Sequence, residues 1–222
     1  MTTIYLVRHC EAEGNVQRVF QGRIDREISE NGKRQLDCLA HRFRDVHLDA
    51  IYSSPLIRAR KTAEALNRGK NLPIHFDDRL KELDGGCWEG KSWADFPTLY
   101  PDDSTIWLQE PWRFHAEGGE AMTAVYARMA EVLTEIALAH PEQIVAVASH
   151  GCAIRNALCW AKGLPIEELN TIEWCDNTAV SVLEWDNGMH VRLENDNTHL
   201  DADASTFEKQ SWWRAETENP FE

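Results

Sequence analysis

Residues 143–151, QIVAVASHG, run from an apolar stretch directly into a histidine and a glycine. Ile144 to Ala148 reads as a buried strand, because a short apolar run bounded by polar residues suits a strand covered on both faces. A helix is predicted to follow, to about Trp160. The chain opens on the same plan: in residues 6–15, LVRHCEAEGN, the apolar run Ile4 to Val7 ends on Arg8 and His9 before Gly14 and Asn15 break regular structure. Strand C-termini in a parallel sheet share one edge, where open α/β sheets hold their ligands. The two histidines are therefore expected to meet there.

The remaining pattern alternates strand and helix. Ser29 is placed to cap a helix reaching about residue 43, with Leu36, Leu39, Ala40 and Phe43 at helical spacing. Ala50 to Tyr52 is a short strand, and Ser53, Ser54 and Pro55 open a helix from about Leu56 to Asn67. Ile74 and Phe76 mark a third strand, and the glycine-rich DGGCWEG of residues 84–90 is loop. Residues 91–118 read as an aromatic, irregular lobe, with a short helix near Trp93 to Tyr100. Met122, Val125, Met129, Val132, Leu133 and Ile136 outline a long amphipathic helix ending before Pro141. Alternation in TAVSVLEWDNGMHVRLEN gives two strands joined at Asp186-Asn187-Gly188. Residues 201–222 lose the periodicity and read as a polar C-terminal extension in which Trp212 and Trp213 are available to pack. The expected fold is α/β, a three-layer α/β/α sandwich with a mostly parallel central sheet, one domain over 1–200.

Composition narrows the partners. A 222-residue chain with 43% hydrophobic and 27% charged residues is ordinary for one globular domain. No apolar run approaches the roughly 20 residues of a membrane span, and no export signal precedes the first strand. Six cysteines without a C-x-x-C pair suit reduced thiols, so a cytoplasmic location is expected. A net charge of −14 argues against nucleic-acid binding, which needs cationic surface. A small anionic ligand would need a local cation cluster set against that field.

Such a cluster is available. Arg8, His9, His150 and the Arg58 of SSPLIRAR can converge at one sheet edge, and guanidinium forks match phosphate oxygens. Arg60 competes with Arg58 from another helix face. Six ordered blocks, LVRHCEAEGN, FQGRIDREISENGKRQ, IYSSPLIRARKTAEAL, LKELDGGCWEG, EGGEAM and ASHGCAIR, together resemble the histidine phosphatase superfamily, the phosphoglycerate mutase-like proteins, over most of residues 3–200.

That resemblance implies a phosphoglycerate mutase-like fold with His9 as nucleophile. It implies that Arg8, Arg58 and His150 hold the phosphoryl oxygens and that Glu82 serves as general acid and base. Among the residues themselves Asp84, Glu89 and Glu11 remain rivals of Glu82. Asn15, Gln21 and Gly22 would sit at the pocket mouth and Gly151 would allow close backbone approach. Arg23 would reach a substrate carboxylate or else be a solvated loop residue. Trp107, Trp112 and Phe114 would line the substrate lobe or fill core.

Cys10 and Cys152 stand where the family usually has glycine, and Ala12 where it usually has threonine. Two thiols beside two histidines suggest an oxidisable pair or a zinc trap, against the plainer reading of small buried thiols. The long R-R-S-Y-D-x-P-P-P stretch of the cofactor-dependent mutases is missing from residues 82–118. The resemblance therefore implies a metal-independent phosphomonoester hydrolase that needs no cofactor and works through a phosphohistidine on small phosphorylated metabolites, closest to the broad-specificity branch. Mutase-type transfer, a dedicated α-ribazole or sugar-phosphate phosphatase, and a non-catalytic phospholigand-binding protein are the alternatives. The oligomeric state, monomer or homodimer, is left open.

Overall fold

The computed structural model describes residues 1–210 and 221. Six strands, β1 (Thr2–Arg8), β2 (Ala50–Ser53), β3 (Ile74–Phe76), β4 (Ile144–Ser149), β5 (Val180–Trp185) and β6 (Met189–Asp196), form one sheet in the order β3-β2-β4-β1-β5-β6. β5 alone runs against the other five. The turn into β6 places Asn187 at φ 57°, a conformation Asn tolerates.

Eight α-helices accompany the sheet among the described residues: α1 (Glu13–Val16), α2 (Glu30–Arg42), α3 (Ile57–Leu66), α4 (Phe96–Leu99), α5 (Pro101–Gln109), α6 (Met122–Ala139), α7 (Gly151–Ala161) and α8 (Thr206–Lys209). Ser29 caps α2 by accepting from the Gly32 N–H at 2.9 Å, a contact of about 1 kcal/mol in comparable helices.

Side-chain alternation along the strands builds the layers. Ile4, Leu6, Val145, Val147 and Leu183 pack with Met129 and Leu133 of α6 and with Ile154 and Leu158 of α7. The intervening Val7, Ile51, Ala146, Ala148 and Val180 pack with Leu39 of α2 and with Ala59, Ala63 and Leu66 of α3. Both sheet faces are thus covered, which makes the three-layer α/β/α sandwich.

The 91–118 lobe closes on an aromatic cluster around the fully buried Trp88, stacked on Phe96 with centroids 3.9 Å apart. Phe114 belongs to that core, 4.7 Å from Trp88.

Residues 201–210 behave differently from a polar tail. Ala204, Ser205 and Thr206 are buried. Gln35 of α2 donates to the Ala204 carbonyl at 2.8 Å, and the Thr206 hydroxyl donates to Glu11 at 3.0 Å. Ser205 donates to Asp176 at 2.6 Å. Hydropathy missed this segment because hydrogen bonds, not apolar area, anchor it. Trp212 and Trp213 lie outside the described residues.

Candidate active site

Register brings the two strand-end histidines together. Arg8 pairs with Ser149 across β1 and β4, so His9 and His150 leave the sheet side by side, with ring centroids 5.1 Å apart. His9 is held from several directions. Its N–H donates to the Ser149 carbonyl at 2.9 Å, and its carbonyl accepts from Asn177 Nδ2 at 2.9 Å. Its Nδ1 lies 2.6 Å from the Cys10 carbonyl. A carbonyl only accepts, so Nδ1 carries the proton and Nε2 keeps the lone pair. Burial, then Arg58 and Arg8, hold the His9 pKa well below the ordinary histidine value. The ring is neutral at neutral pH.

Arg8 is buried, with Nη1 donating to the Cys175 carbonyl. Arg58, in the first turn of α3, donates to the carbonyls of Gly22 and Ile24 at 2.7 and 2.9 Å. Burial pushes its pKa down to about 10, which leaves it charged. His150 is fully buried, and its pKa is lowered well below the usual value by burial, then by Arg58 and His9. Ser54 Oγ lies 2.7 Å from its Nε2, the ring nitrogen opposite Nδ1. Among the described residues, Arg8 Nε, Arg58 Nε and this Nδ1 are buried without a hydrogen-bond partner. Buried polar atoms normally find partners, and these three beside His9 suit the oxygens of an oxyanion, the two guanidinium Nε atoms as donors and His150 when Nδ1 carries its hydrogen.

Arg8 and His9 border a cavity of about 610 Å³ lined also by Asn15, Gln21, Gly22, Glu82 and Gly151 among others, whereas Arg58 and His150 are not among its lining residues. Gly22 is at φ 50°, and a Cβ there would fall 2.1 Å from Glu89 Oε1. Only glycine can present the carbonyl that Arg58 uses. Asn15 Oδ1 accepts from the Ala12 N–H at 3.0 Å.

Glu82 is fixed by the backbone: Oε1 accepts from Leu83 and Ala153, and Oε2 from Cys152. The latter two N–H groups belong to the first turn of α7, where donors point outward from the helix. Its sequence rivals are engaged elsewhere. Glu89 binds the Arg23 and Gly85 N–H groups, Asp84 the Gly86 N–H, and Glu11 the Ser29 hydroxyl. Of these four carboxylates Glu82 is the one that lines the cavity.

Three of the open alternatives are narrowed. Arg23 does not reach the cavity, because its guanidinium pairs with Glu120 at 3.2 Å and Asp84 at 3.4 Å. Of the three aromatics named, Trp107 both lines the cavity and belongs to the buried core, Phe114 is core alone, and Trp112 lies under the Arg113 guanidinium. The thiols are not activated by nearby cations: burial pushes Cys10 up to about 12 and Cys152 well above the usual value. No group of three or more metal-ligating side chains occurs among the described residues.

Other cavity residues escaped the sequence reading. Arg155, at the end of ASHGCAIR, lies one helical turn after Gly151 on the same face and sits 4.4 Å from the Trp174 ring centre. That spacing was the available signal. Arg18, Trp174 and Asp176 also line the cavity and carried none.

A family comparison meets this geometry. Residues 4–197 match the model of the histidine phosphatase superfamily, branch 1. The chain belongs to that family. Phosphoserine phosphatase 1 of Hydrogenobacter thermophilus is 36% identical over 201 residues, covering 90% of this chain and 95% of that one. Among solved structures, Bacillus stearothermophilus YhfR superposes with a TM-score of 0.86 at 33% identity, over 90% of this chain and 100% of the other. The mycobacterial glucosyl-3-phosphoglycerate phosphatase in complex with VO3 gives 0.82 at 26%, over 88% and 99%. This histidine phosphatase is a phosphoric monoester hydrolase of small phosphorylated metabolites. No helix among the described residues is long and apolar enough to cross a membrane.

Proposed function

We propose that the protein hydrolyses the phosphomonoester of a small hydroxy acid, with phosphoserine the first substrate to try, and that His9 is the nucleophile. The observation that carries the mechanism is that two buried guanidinium donors, Arg8 Nε and Arg58 Nε, and the buried His150 Nδ1 have no partner beside a His9 ring whose Nε2 holds a lone pair. The substrate class is supported by the 36% identity to a phosphoserine phosphatase. It is supported too by Arg18 and Arg155, which put positive charge on the cavity wall beyond the phosphoryl-binding set.

In the first step His9 Nε2 attacks phosphorus and the bond to the ester oxygen breaks. Glu82 gives its proton to the departing alkoxide and the alcohol leaves. In the second, water attacks the phosphohistidine, Glu82 takes the water proton, and the P–N electron pair returns to Nε2. Arg8, Arg58 and His150 neutralise the equatorial oxygens throughout, the main demand of phosphoryl transfer. The Cys10 carbonyl stabilises the proton on Nδ1 while Nε2 carries phosphorus. Six free thiols support a cytoplasmic site of action.

The test is turnover of phosphoserine and p-nitrophenyl phosphate by wild type and His9→Ala in EDTA, with base quenching to trap a phosphohistidine. Wild-type turnover and a trapped adduct on His9, both lost in the variant with a drop of roughly 10³-fold or more, are expected. Turnover surviving in His9→Ala removes the nucleophile assignment. Turnover of p-nitrophenyl phosphate without phosphoserine removes the substrate assignment.

A further inference from the structure

Glu82 stands in a stretch, residues 82–85, that has no regular secondary structure. No ladder fixes that backbone, so its polar groups must find partners elsewhere, in side chains and in the main chain of other segments. Two guanidiniums, joined by one carboxylate, are among them. Arg128 of α6 grips Glu120 bidentately, Nε to Oε1 at 2.8 Å and Nη2 to Oε2 at 3.0 Å. Its Nη1 donates to the carbonyls of Arg79 and Lys81, the latter at 2.7 Å. Arg23 completes the arrangement: Nη2 meets Glu120 Oε2 at 3.2 Å, Nη1 meets Asp84 at 3.4 Å, and Nε meets the Glu82 carbonyl at 3.5 Å. The Glu120 N–H donates to the Asp84 carbonyl at 2.9 Å. Arg128 and Glu120 are largely buried, with side chains 12% and 15% exposed, so the pair is only weakly screened.

The segment is therefore gripped before, at and after Glu82. None of Arg23, Glu120 and Arg128 lines the cavity. Proton transfer requires Glu82 within about 2.6–3.2 Å of the leaving oxygen, and a misplacement of about 1 Å costs roughly 10²-fold. We propose that Arg128, Glu120 and Arg23 are positioning residues that hold the Glu82 backbone in register for proton transfer. This rests on the reading of Glu82 as the proton donor. It gives Arg23 a role in the reaction without contact with substrate, and gives the Glu of EGGEAM a task as the link between the two arginines.

Leaving-group dependence separates positioning from general damage. p-Nitrophenolate departs without a proton, whereas the serine alkoxide needs one. The experiment compares kcat/KM on phosphoserine and on p-nitrophenyl phosphate for wild type, Glu82→Gln, Arg128→Met, Arg128→Lys, Glu120→Gln and Arg23→Gln, each checked for folding by urea melt. Glu82→Gln is expected to lose at least about tenfold more on phosphoserine than on the aryl ester. Arg128→Met and Glu120→Gln should shift the ratio in the same direction, Arg23→Gln by less, and Arg128→Lys should recover part of it. A wild-type ratio in Arg128→Met and Glu120→Gln, with Glu82→Gln selective, overturns the positioning role and leaves Glu82 in place. If Arg128→Met does not fold, Glu120→Gln and Arg23→Gln decide by the same ratio, and wild-type values in both overturn it. Equal losses on both esters in Glu82→Gln overturn the reading of Glu82 and this inference with it.

Discussion

His9 donates its Nδ1 proton to the main-chain carbonyl of Cys10, its immediate neighbour, at 2.6 Å. Because the acceptor is backbone, the identity of residue 10 is free to change without touching the tautomer. The Cys10 side chain turns away to pack with Leu36, Ala40 and Ala65. A cysteine beside His9 is thus a packing choice.

That placement predicts inert thiols near the site. Cys10 and Cys152 are buried and held protonated, while Cys38 and Cys87 are partly exposed. Iodoacetamide at pH 8 should label Cys38 and Cys87 first, with activity retained as they react. Peptide mapping that found Cys10 or Cys152 modified first would contradict the packing.

Gly151 should be a kinetic position more than a stability position. A Cβ there would come 3.3 Å from Arg8 Nε and 3.4 Å from Trp174. Gly151→Ala should displace the Arg8 fork and lower kcat/KM by about tenfold, in line with the cost of misplacing a binding group. Alanine is favoured over glycine by up to about 1 kcal/mol in helices, so Tm should not fall. Wild-type kinetics in the melt-stable variant would show that Arg8 need not stay where it is.

Acid should unfold this protein through its histidines. His9, His150 and His199 have lowered pKa values in the folded state, burial being the first cause in each, and His199 falls to about 4. Below the unfolded value of about 6.5, the unfolded chain binds protons that the folded chain refuses, so stability falls as pH drops toward 4. Urea midpoints should decline from pH 7 to pH 5, and His199→Gln should make that decline shallower. An unchanged slope in His199→Gln would mean that this ring does not contribute.

What the sequence displayed well were features carried by local pattern. Apolar runs ending on Arg8-His9 and Ser149-His150 located β1, β4 and the meeting of the two rings, because strand register converts equal positions into neighbours. Ser29 marked the start of α2 for an equally local reason, its bond to Gly32 three residues on. Arg23 was opaque because its partner Glu120 lies 97 residues away. Nothing in a loop arginine says which distant carboxylate it will meet. Thr206 was opaque for a second reason: it is buried by hydrogen bonds to Glu11 and Gln35, and hydropathy counts such residues as surface.

The Glu11–Thr206 contact also orders events in time. The two residues are separated by 195 positions, so during synthesis the loop carrying His9 waits while nearly all of the described chain is made. Chains emerge at roughly 5–20 residues per second, a delay on the order of ten seconds or more. His9 precedes Thr206 by nearly the whole described chain, yet the loop next to it closes only once Thr206 has been made.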